Sequence, residues 1–130
     1  MPFTKLGLSK QAVEGVKAMG YADPTPIQLR AIPLIMEGRD VIGSAQTGTG
    51  KTAAFALPIL TKMDNPGRDP KALVLVPTRE LASQMETAWR DLARFMKVRI
   101  GLVYGGTGYG KQNAMFESGV DVLIATPGRL

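Results

Sequence analysis

AQTGTGKT occupies residues 45–52 and consists of Ala45, Gln46, Thr47, Gly48, Thr49, Gly50, Lys51 and Thr52. Glycines at positions 48 and 50 allow a backbone to wrap closely around a polyphosphate, because they place no side chain in its way. If a helix begins here, its N-terminal amides also point at negative charge. Lys51 supplies a cation for the terminal phosphates, and the Thr52 hydroxyl is suited to Mg²⁺. The stretch predicts a nucleoside triphosphate site, although Ala45 stands where the general pattern has glycine.

Apolar segments of strand and helix length alternate on both sides of this loop. Strands are predicted at residues 41–45, 72–76, 99–104 and 120–125, and helices at 51–60 and 79–97, with a weaker helix after Gly110. Strands this apolar, separated by crossover-length segments, indicate a parallel sheet covered by helices on both faces. The fold class is therefore predicted to be α/β.

Residues 1–39 differ from the rest, because their pattern is helical throughout. Ser9 can cap a first helix, Thr25-Pro26 is typical of a second helix start, and Gly20 and Gly38 are suited to ending the two helices. We therefore divide the chain into a helical segment at 1–39 and an α/β domain at 40–130.

The loops that follow the predicted strands share one composition. They read SAQTGTGKT, VPTRE, YGGTGYG and ATPGR, and are rich in Gly, Pro, Thr and Ser. In a parallel sheet all such loops meet at the carboxyl edge, where ligands bind. We expect this edge to be the functional face.

The composition of the 130 residues excludes several kinds of chemistry. The chain has no Cys and no His, which excludes disulfides, thiol and imidazole catalysis, and metal sites built from those side chains. No apolar run approaches the roughly 18 residues of a membrane-spanning helix. The first ten residues lack a signal-peptide core, so we expect a cytoplasmic protein without a membrane partner. A net charge of +5 favours anionic partners.

Other motifs are ambiguous when taken singly. In GYADPTPIQ, residues 20–28, Thr25 and Gln28 have the spacing of a capping box, which explains both without a ligand. The same amide could instead contact an adenine edge, with Tyr21 against its face. PTRELA at 77–82 reads as a capping turn or as a phosphate contact, and GG at 105–106 and TPGR at 126–129 are similarly open.

Taken together and in this order, these five motifs resemble those of the bacterial DEAD-box ATP-dependent RNA helicases over essentially the whole chain. Phe3 even lies 17 residues before Gly20, where that family carries an isolated aromatic residue. The resemblance implies that residues 40–130 are part of a RecA-like domain and that residues 1–39 contain the family's adenine-recognition motif, the Q motif. ATP and Mg²⁺ would be the cofactors and RNA the partner.

The resemblance also implies a role for each matching position. Gln28 would read adenine, Tyr21 and Phe3 would shape the base pocket, and Thr25 would support the phosphate loop. Residues 45–52 would hold the phosphates, with Lys51 and Thr52 as catalytic positions and Thr52 at the metal. Sequence-independent contacts to the RNA backbone would come from Pro77, Thr78, Arg79, Gly105, Gly106, Thr126, Pro127, Gly128 and Arg129.

The family's acidic motif has no match among the eleven Asp and Glu residues, and Asp121 lies at the entrance of its predicted strand. The sequence also stops before the family's Ser-Ala-Thr motif and its second RecA-like domain. We therefore expect negligible ATP hydrolysis by this chain alone, and poor solubility or self-association through exposed sheet edges. Two alternatives remain, which are a non-enzymatic nucleotide- or RNA-binding fragment and another P-loop ATPase.

Overall fold

The computed structural model describes residues 2–44, 50–63, 72–103 and 119–127. After a 3₁₀ turn at Phe3–Lys5, the helices are α1 (Lys10–Ala18), α2 (Pro26–Met36), α3 (Lys51–Thr61) and α4 (Arg79–Leu92), and the strands are β1 (Ala72–Leu75), β2 (Ile100–Val103) and β3 (Val122–Ala125). The chain divides into two compact units. The first comprises Met1–Met63 and Asp91–Met96, and the second Asp64–Arg90 and Lys97–Leu130.

The sheet of the second unit is parallel, with strand order β1-β3-β2. Leu75 of β1 and Val103 of β2 both pair with Ala125 of β3, so the three strands end level with one another. All four residues of the central strand β3 are buried, as its continuous apolar sequence requires. The prediction of an α/β fold with a parallel sheet is confirmed.

The first unit is a packed group of helices. Both α1 and α2 contact α3, and the buried side chains include Val16, Ile32 and Leu57. Ser9 caps α1 by accepting from the Ala12 N–H at 3.2 Å, and its own N–H donates to Thr61 Oγ1 at 3.0 Å. The start of α1 is therefore fixed to the last turn of α3.

Gly15 lies where α1 approaches another backbone closely. A Cβ built on it would lie 2.1 Å from the carbonyl oxygen of Leu92, so only glycine fits there. Glycine in mid-helix lowers the intrinsic stability of α1, but it allows the helix to pack closely against the Leu92 backbone.

Asp121 precedes β3 at the amino end of the sheet, opposite the predicted ligand edge. Its carboxylate is buried and accepts from the N–H of Arg99 at 2.9 Å and from Arg99 Nε at 3.4 Å. This pair joins the entrances of β2 and β3, so the buried carboxylate has a structural role there.

Two elements differ from the sequence prediction. Residues 41–44 form no strand, and Ile42 is fully exposed. That prediction was wrong for these residues, since an apolar run becomes a strand only when a neighbouring strand bonds to it. Helix α4 ends at Leu92 instead of residue 97, because the next turns tighten to i→i−3 bonds such as Met96 N–H to Ala93 O.

The remaining elements predicted from sequence lie elsewhere. The weaker helix predicted after Gly110 falls outside the described residues. The domain boundary between residues 39 and 40 stays a prediction. No helix in the described part of the chain is long and apolar enough to cross a membrane.

Candidate functional site

The N-terminus of α3 carries the end of the predicted phosphate loop. Gly50 is the N-cap residue and has φ +80°, a left-handed conformation suited to glycine, and its side-chain-free position provides no cap. Lys51 follows as an exposed residue and Thr52 as a half-buried one, both in the first helical turn. The helix dipole and the N–H groups of this turn favour an anion there. The arrangement therefore fits the triphosphate site predicted from sequence.

Gln28 lies against this helix start and is completely buried. Its Oε1 accepts from the Thr25 N–H at 2.9 Å, while Thr25 Oγ1 accepts from the Gln28 N–H at 3.5 Å, so the capping box is present. In addition, Gln28 Nε2 donates to the carbonyl oxygen of Gly50 at 3.1 Å. The structure thus brings the GYADPTPIQ motif and the end of the phosphate loop together.

The two aromatic residues predicted at a base pocket have different environments. Phe3 is 1% exposed, in a 3₁₀ turn that contacts α1. Tyr21 is half-buried, and its N–H donates to the carbonyl of Val16 just after α1 ends. In this conformation Phe3 packs as a core residue, whereas Tyr21 keeps some surface for a ligand.

A pocket of about 270 Å³ opens beside Lys51 in the first unit. Its walls are mostly apolar side chains of α2 and α3 and residues of the segment between them: Ile27, Ala31, Ile35, Val41, Gly43, Ala54 and Phe55. None of Phe3, Tyr21 and Gln28 lines it. The pocket has no signal in the sequence, because its lining residues carry no motif and resemble ordinary core positions.

In the second unit, the residues that follow β1 and β3 lie at one edge of the sheet. Val76 N–H donates to Ala125 O across the end of β1 and β3, and Thr126 N–H donates to Val103 O. Because Leu75 pairs with Ala125, Pro77 and Pro127 each lie two residues beyond the ends of neighbouring strands, at the same edge of the sheet. The prediction that these two loops share the carboxyl edge is confirmed.

Thr78 and Arg79 begin α4 at this edge. Thr78 Oγ1 accepts from the Leu81 N–H at 3.2 Å and Thr78 O from the Ala82 N–H at 3.0 Å, so the threonine caps the helix. Both Thr78 and Arg79 are exposed, whereas Thr126 is buried with only 8% of its surface accessible. An exposed hydroxyl and an exposed cationic residue therefore stand at the N-terminus of α4, where the helix dipole favours an anion.

Several predicted contact residues lie outside the described part of the chain: Ala45, Gln46, Thr47, Gly48, Thr49, Gly105, Gly106, Gly128 and Arg129. Among the residues that the structure describes, no group of three Asp, Glu, His or Cys side chains could hold a metal ion. Thr52 is the described side chain that the sequence assigns to a nucleotide-bound Mg²⁺.

Comparison with known proteins extends these observations. A family model described as DEAD/DEAH box helicase matches residues 25–130. ATP-dependent RNA helicase CshA of Limosilactobacillus reuteri is 45% identical over 130 residues, which are 100% of this chain and 26% of that protein. ATP-dependent RNA helicase DeaD of Escherichia coli strain K12 is 45% identical over 129 residues, which are 98% of this chain and 20% of the relative.

A solved structure agrees with these sequence matches. The crystal structure of a hypothetical ATP-dependent RNA helicase from Sulfolobus tokodaii has a TM-score of 0.83 and 38% identity, covering 94% of this chain and 35% of that one. The chain therefore spans between 20% and 26% of the length of the two curated relatives named here.

Proposed function

Because the chain belongs to the DEAD/DEAH box helicase family, we propose that it is the ATP- and RNA-backbone-binding N-terminal part of an ATP-dependent RNA helicase. The observation that carries the proposal is the meeting of Gln28 with Gly50 at the start of α3. It joins a family-specific motif to the end of a phosphate-binding loop, whereas either motif alone has a plain structural explanation.

At the nucleotide site, the chain's own residues would bind and orient the polyphosphate. The Lys51 ammonium balances the charge of the terminal phosphates, and the N–H groups of the first turn of α3 donate to their oxygens. The Thr52 hydroxyl is a hard oxygen ligand of the kind Mg²⁺ prefers. When bound, ATP with Mg²⁺ supplies the phosphoryl group whose hydrolysis would be coupled to strand separation in the complete helicase.

We further propose that the carboxyl edge of the β1–β3 pair holds the RNA backbone. Thr78 and Arg79 offer a hydroxyl and a planar cation, and Pro127 lies on the neighbouring strand exit. Contacts of this type address phosphates and sugars and leave base identity unread, so binding would be independent of sequence and would weaken as salt rises.

Hydrolysis by the chain alone is proposed to be negligible, which favours the alternative of a binding module. The carboxylate of Asp121, at the amino end of β3, accepts from the Arg99 N–H, so its burial is explained by a structural role without a ligand. Among the described residues there is also no acidic cluster that could hold Mg²⁺ and position water. Another P-loop ATPase is disfavoured by the family match.

We propose a cytoplasmic location for the protein as a whole.

Self-association is proposed to occur through the outer edge of β1. Within the described residues β1 pairs with β3 alone, and its Leu73 and Leu75 are 51% and 52% exposed. An open strand edge with apolar side chains promotes pairing with a second chain. A monodisperse, cooperatively melting monomer in sedimentation and melting experiments would contradict this expectation.

The experiment that tests the nucleotide site is calorimetric titration of the purified chain with ATP and Mg²⁺, with GTP as the competing base. Saturable binding that is selective for ATP and lost in Lys51→Ala is the expected result. The matched control is Lys17→Ala, which removes one exposed positive charge from α1 and should leave the affinity unchanged. Equal affinity of wild type and Lys51→Ala would refute the proposed site.

A further inference from the structure

The Gln28 side chain is held from both ends by backbone groups. A backbone N–H can only donate and a carbonyl can only accept, so the partners fix the direction of the amide. Oε1 faces the Thr25 N–H at 2.9 Å, and Nε2 faces the Gly50 carbonyl at 3.1 Å, although Gly50 is 22 positions away in sequence. The amide is completely buried in this arrangement.

The carbonyl of Gly50 receives two donors. Ala54 N–H reaches it at 3.2 Å as the first bond of α3, and Gln28 Nε2 reaches it at 3.1 Å. In a planar trans peptide the C=O and the following N–H point in opposite directions. Fixing the Gly50 carbonyl therefore fixes the direction of the Lys51 N–H, which lies at the open end of α3 and faces away from the helix.

The fit between Gln28 and Gly50 is also steric. A Cβ built on Gly50 would lie 2.3 Å from Gln28 Nε2 and 3.3 Å from its Cδ. Glycine at position 50 thus meets two requirements at once, the left-handed backbone conformation and the space occupied by the amide.

We infer that Gln28 is a positioning residue for the phosphates, acting through the Gly50–Lys51 peptide independently of the base. This inference rests on the proposed nucleotide site and goes beyond the adenine contact implied by the family resemblance. By holding the Gly50 carbonyl toward the helix, Gln28 aims the Lys51 N–H at the position of a bound polyphosphate. Loss of the Gln28 amide lowers the affinity for any triphosphate, whatever base the triphosphate carries.

The test compares Gln28→Met with wild type in titrations with ATP, GTP and inorganic tripolyphosphate, each with Mg²⁺. Methionine is similar in size to glutamine and uncharged, so it removes the donor without adding repulsion. We expect tripolyphosphate, which has no base, to bind about tenfold more weakly, as befits one lost hydrogen bond within a buried site. If Gln28→Met left the affinity for tripolyphosphate unchanged and lowered only the affinity for ATP, the inference would be overturned. Gln28 would then act only by contacting the base.

The matched control is Ser9→Ala, which removes the capping side chain of α1 and does not contact Gly50. Its three affinities should equal those of wild type, which separates positioning from a general loss of helix stability.

A second measurement does not depend on ligand binding. In ligand-free, ¹⁵N-labelled chain, the Lys51 amide resonance should shift and exchange faster in Gln28→Met than in Ser9→Ala. An unmoved Lys51 resonance would overturn the inference. If wild type bound none of the three ligands, the proposed nucleotide site would fail, and this resonance would still decide whether Gln28 orients the peptide.

Discussion

Replacing Gly15 by alanine is expected to destabilise the chain, against the usual effect of this substitution in a helix. Alanine in mid-helix is normally favoured over glycine by about 1 kcal/mol. Here the new Cβ would lie 2.1 Å from the carbonyl oxygen of Leu92 and 3.0 Å from its carbonyl carbon. Both atoms belong to backbone, so no side-chain rotation relieves the contact.

The size of the effect follows from these distances. Carbon contacts are comfortable at about 3.5 Å, so α1 and the end of α4 would have to separate by on the order of 1 Å. Overpacking of this kind costs up to about 3 kcal/mol, from which the gain of about 1 kcal/mol in helix propensity is subtracted. We expect a net loss of about 2 kcal/mol in the free energy of unfolding, or roughly 8 °C in Tm for a domain of this size.

The assay is guanidinium and thermal unfolding followed by circular dichroism, with Gly7→Ala as the matched control. Gly7 has φ +82° but open space around its Cβ position, so alanine there meets only the left-handed conformational cost of about 1 kcal/mol. Gly15→Ala should therefore lose more stability than Gly7→Ala. A Gly15→Ala chain as stable as wild type would refute the close approach of α1 to Leu92.

Three further predictions concern the site and its support. Gly50→Ala should lower the free energy of unfolding by about 2–3 kcal/mol. In a Gln28→Ala background the loss should be about 1 kcal/mol smaller, because the new Cβ then no longer collides with the Gln28 amide. Additive losses in a double-mutant cycle would contradict this contact. Asp121→Ala should cost about 2–3 kcal/mol in denaturant unfolding, since it leaves the Arg99 N–H without its 2.9 Å acceptor, while Asp121→Asn, which keeps an oxygen, should cost less. Arg79→Ala should lower the affinity for single-stranded RNA by the same factor for unrelated RNA sequences, as measured by fluorescence anisotropy. It should also reduce the slope of log affinity against log salt by about 0.7. A loss of affinity that depended on the RNA sequence would argue against a backbone contact.

Helix starts were predictable because their signals are local. Ser9 and Thr25 cap α1 and α2 as predicted, and Lys51 begins α3 directly after the glycine-rich loop. Each cap joins groups within a few residues, so a short stretch of sequence contains both partners. The predicted boundaries of these three helices agree with the structure to within one or two residues.

The strand predicted at residues 41–45 was wrong for residues 41–44, because strand formation does not depend on local signals alone. Its apolar residues satisfy the strand pattern, yet residues 41–44 have no strand conformation and Val41 and Ile42 are exposed. The reason is that a strand depends on bonds to a neighbour that its own sequence does not contain. Runs of the same kind at β1, β2 and β3 form strands because they pair with one another.

The site was predicted in part. Sequence motifs selected Gln28, Gly50, Lys51 and Thr52 as one binding region, and the structure places Gln28 against Gly50. The hydrogen bond between them could not be predicted from their spacing in the sequence. The apolar pocket beside Lys51 could not be predicted either, because no motif marks its lining residues. For the loops after β1 and β3, the shared edge followed from the parallel topology, since parallel strands all end on the same side.

By itself the sequence determined the chemistry that this chain has at its disposal: no thiol or imidazole, a glycine-lysine-threonine loop at a helix start, and a set of motifs shared with one family of helicases. Those properties depend on residue types and on neighbours a few positions apart. Only the tertiary structure decided that the buried Gln28 amide holds the Gly50 carbonyl and that Asp121 is held by Arg99 at the far edge of the sheet. Each of these contacts joins residues 22 positions apart through the packing of separate elements, and local patterns carry no information about such pairs.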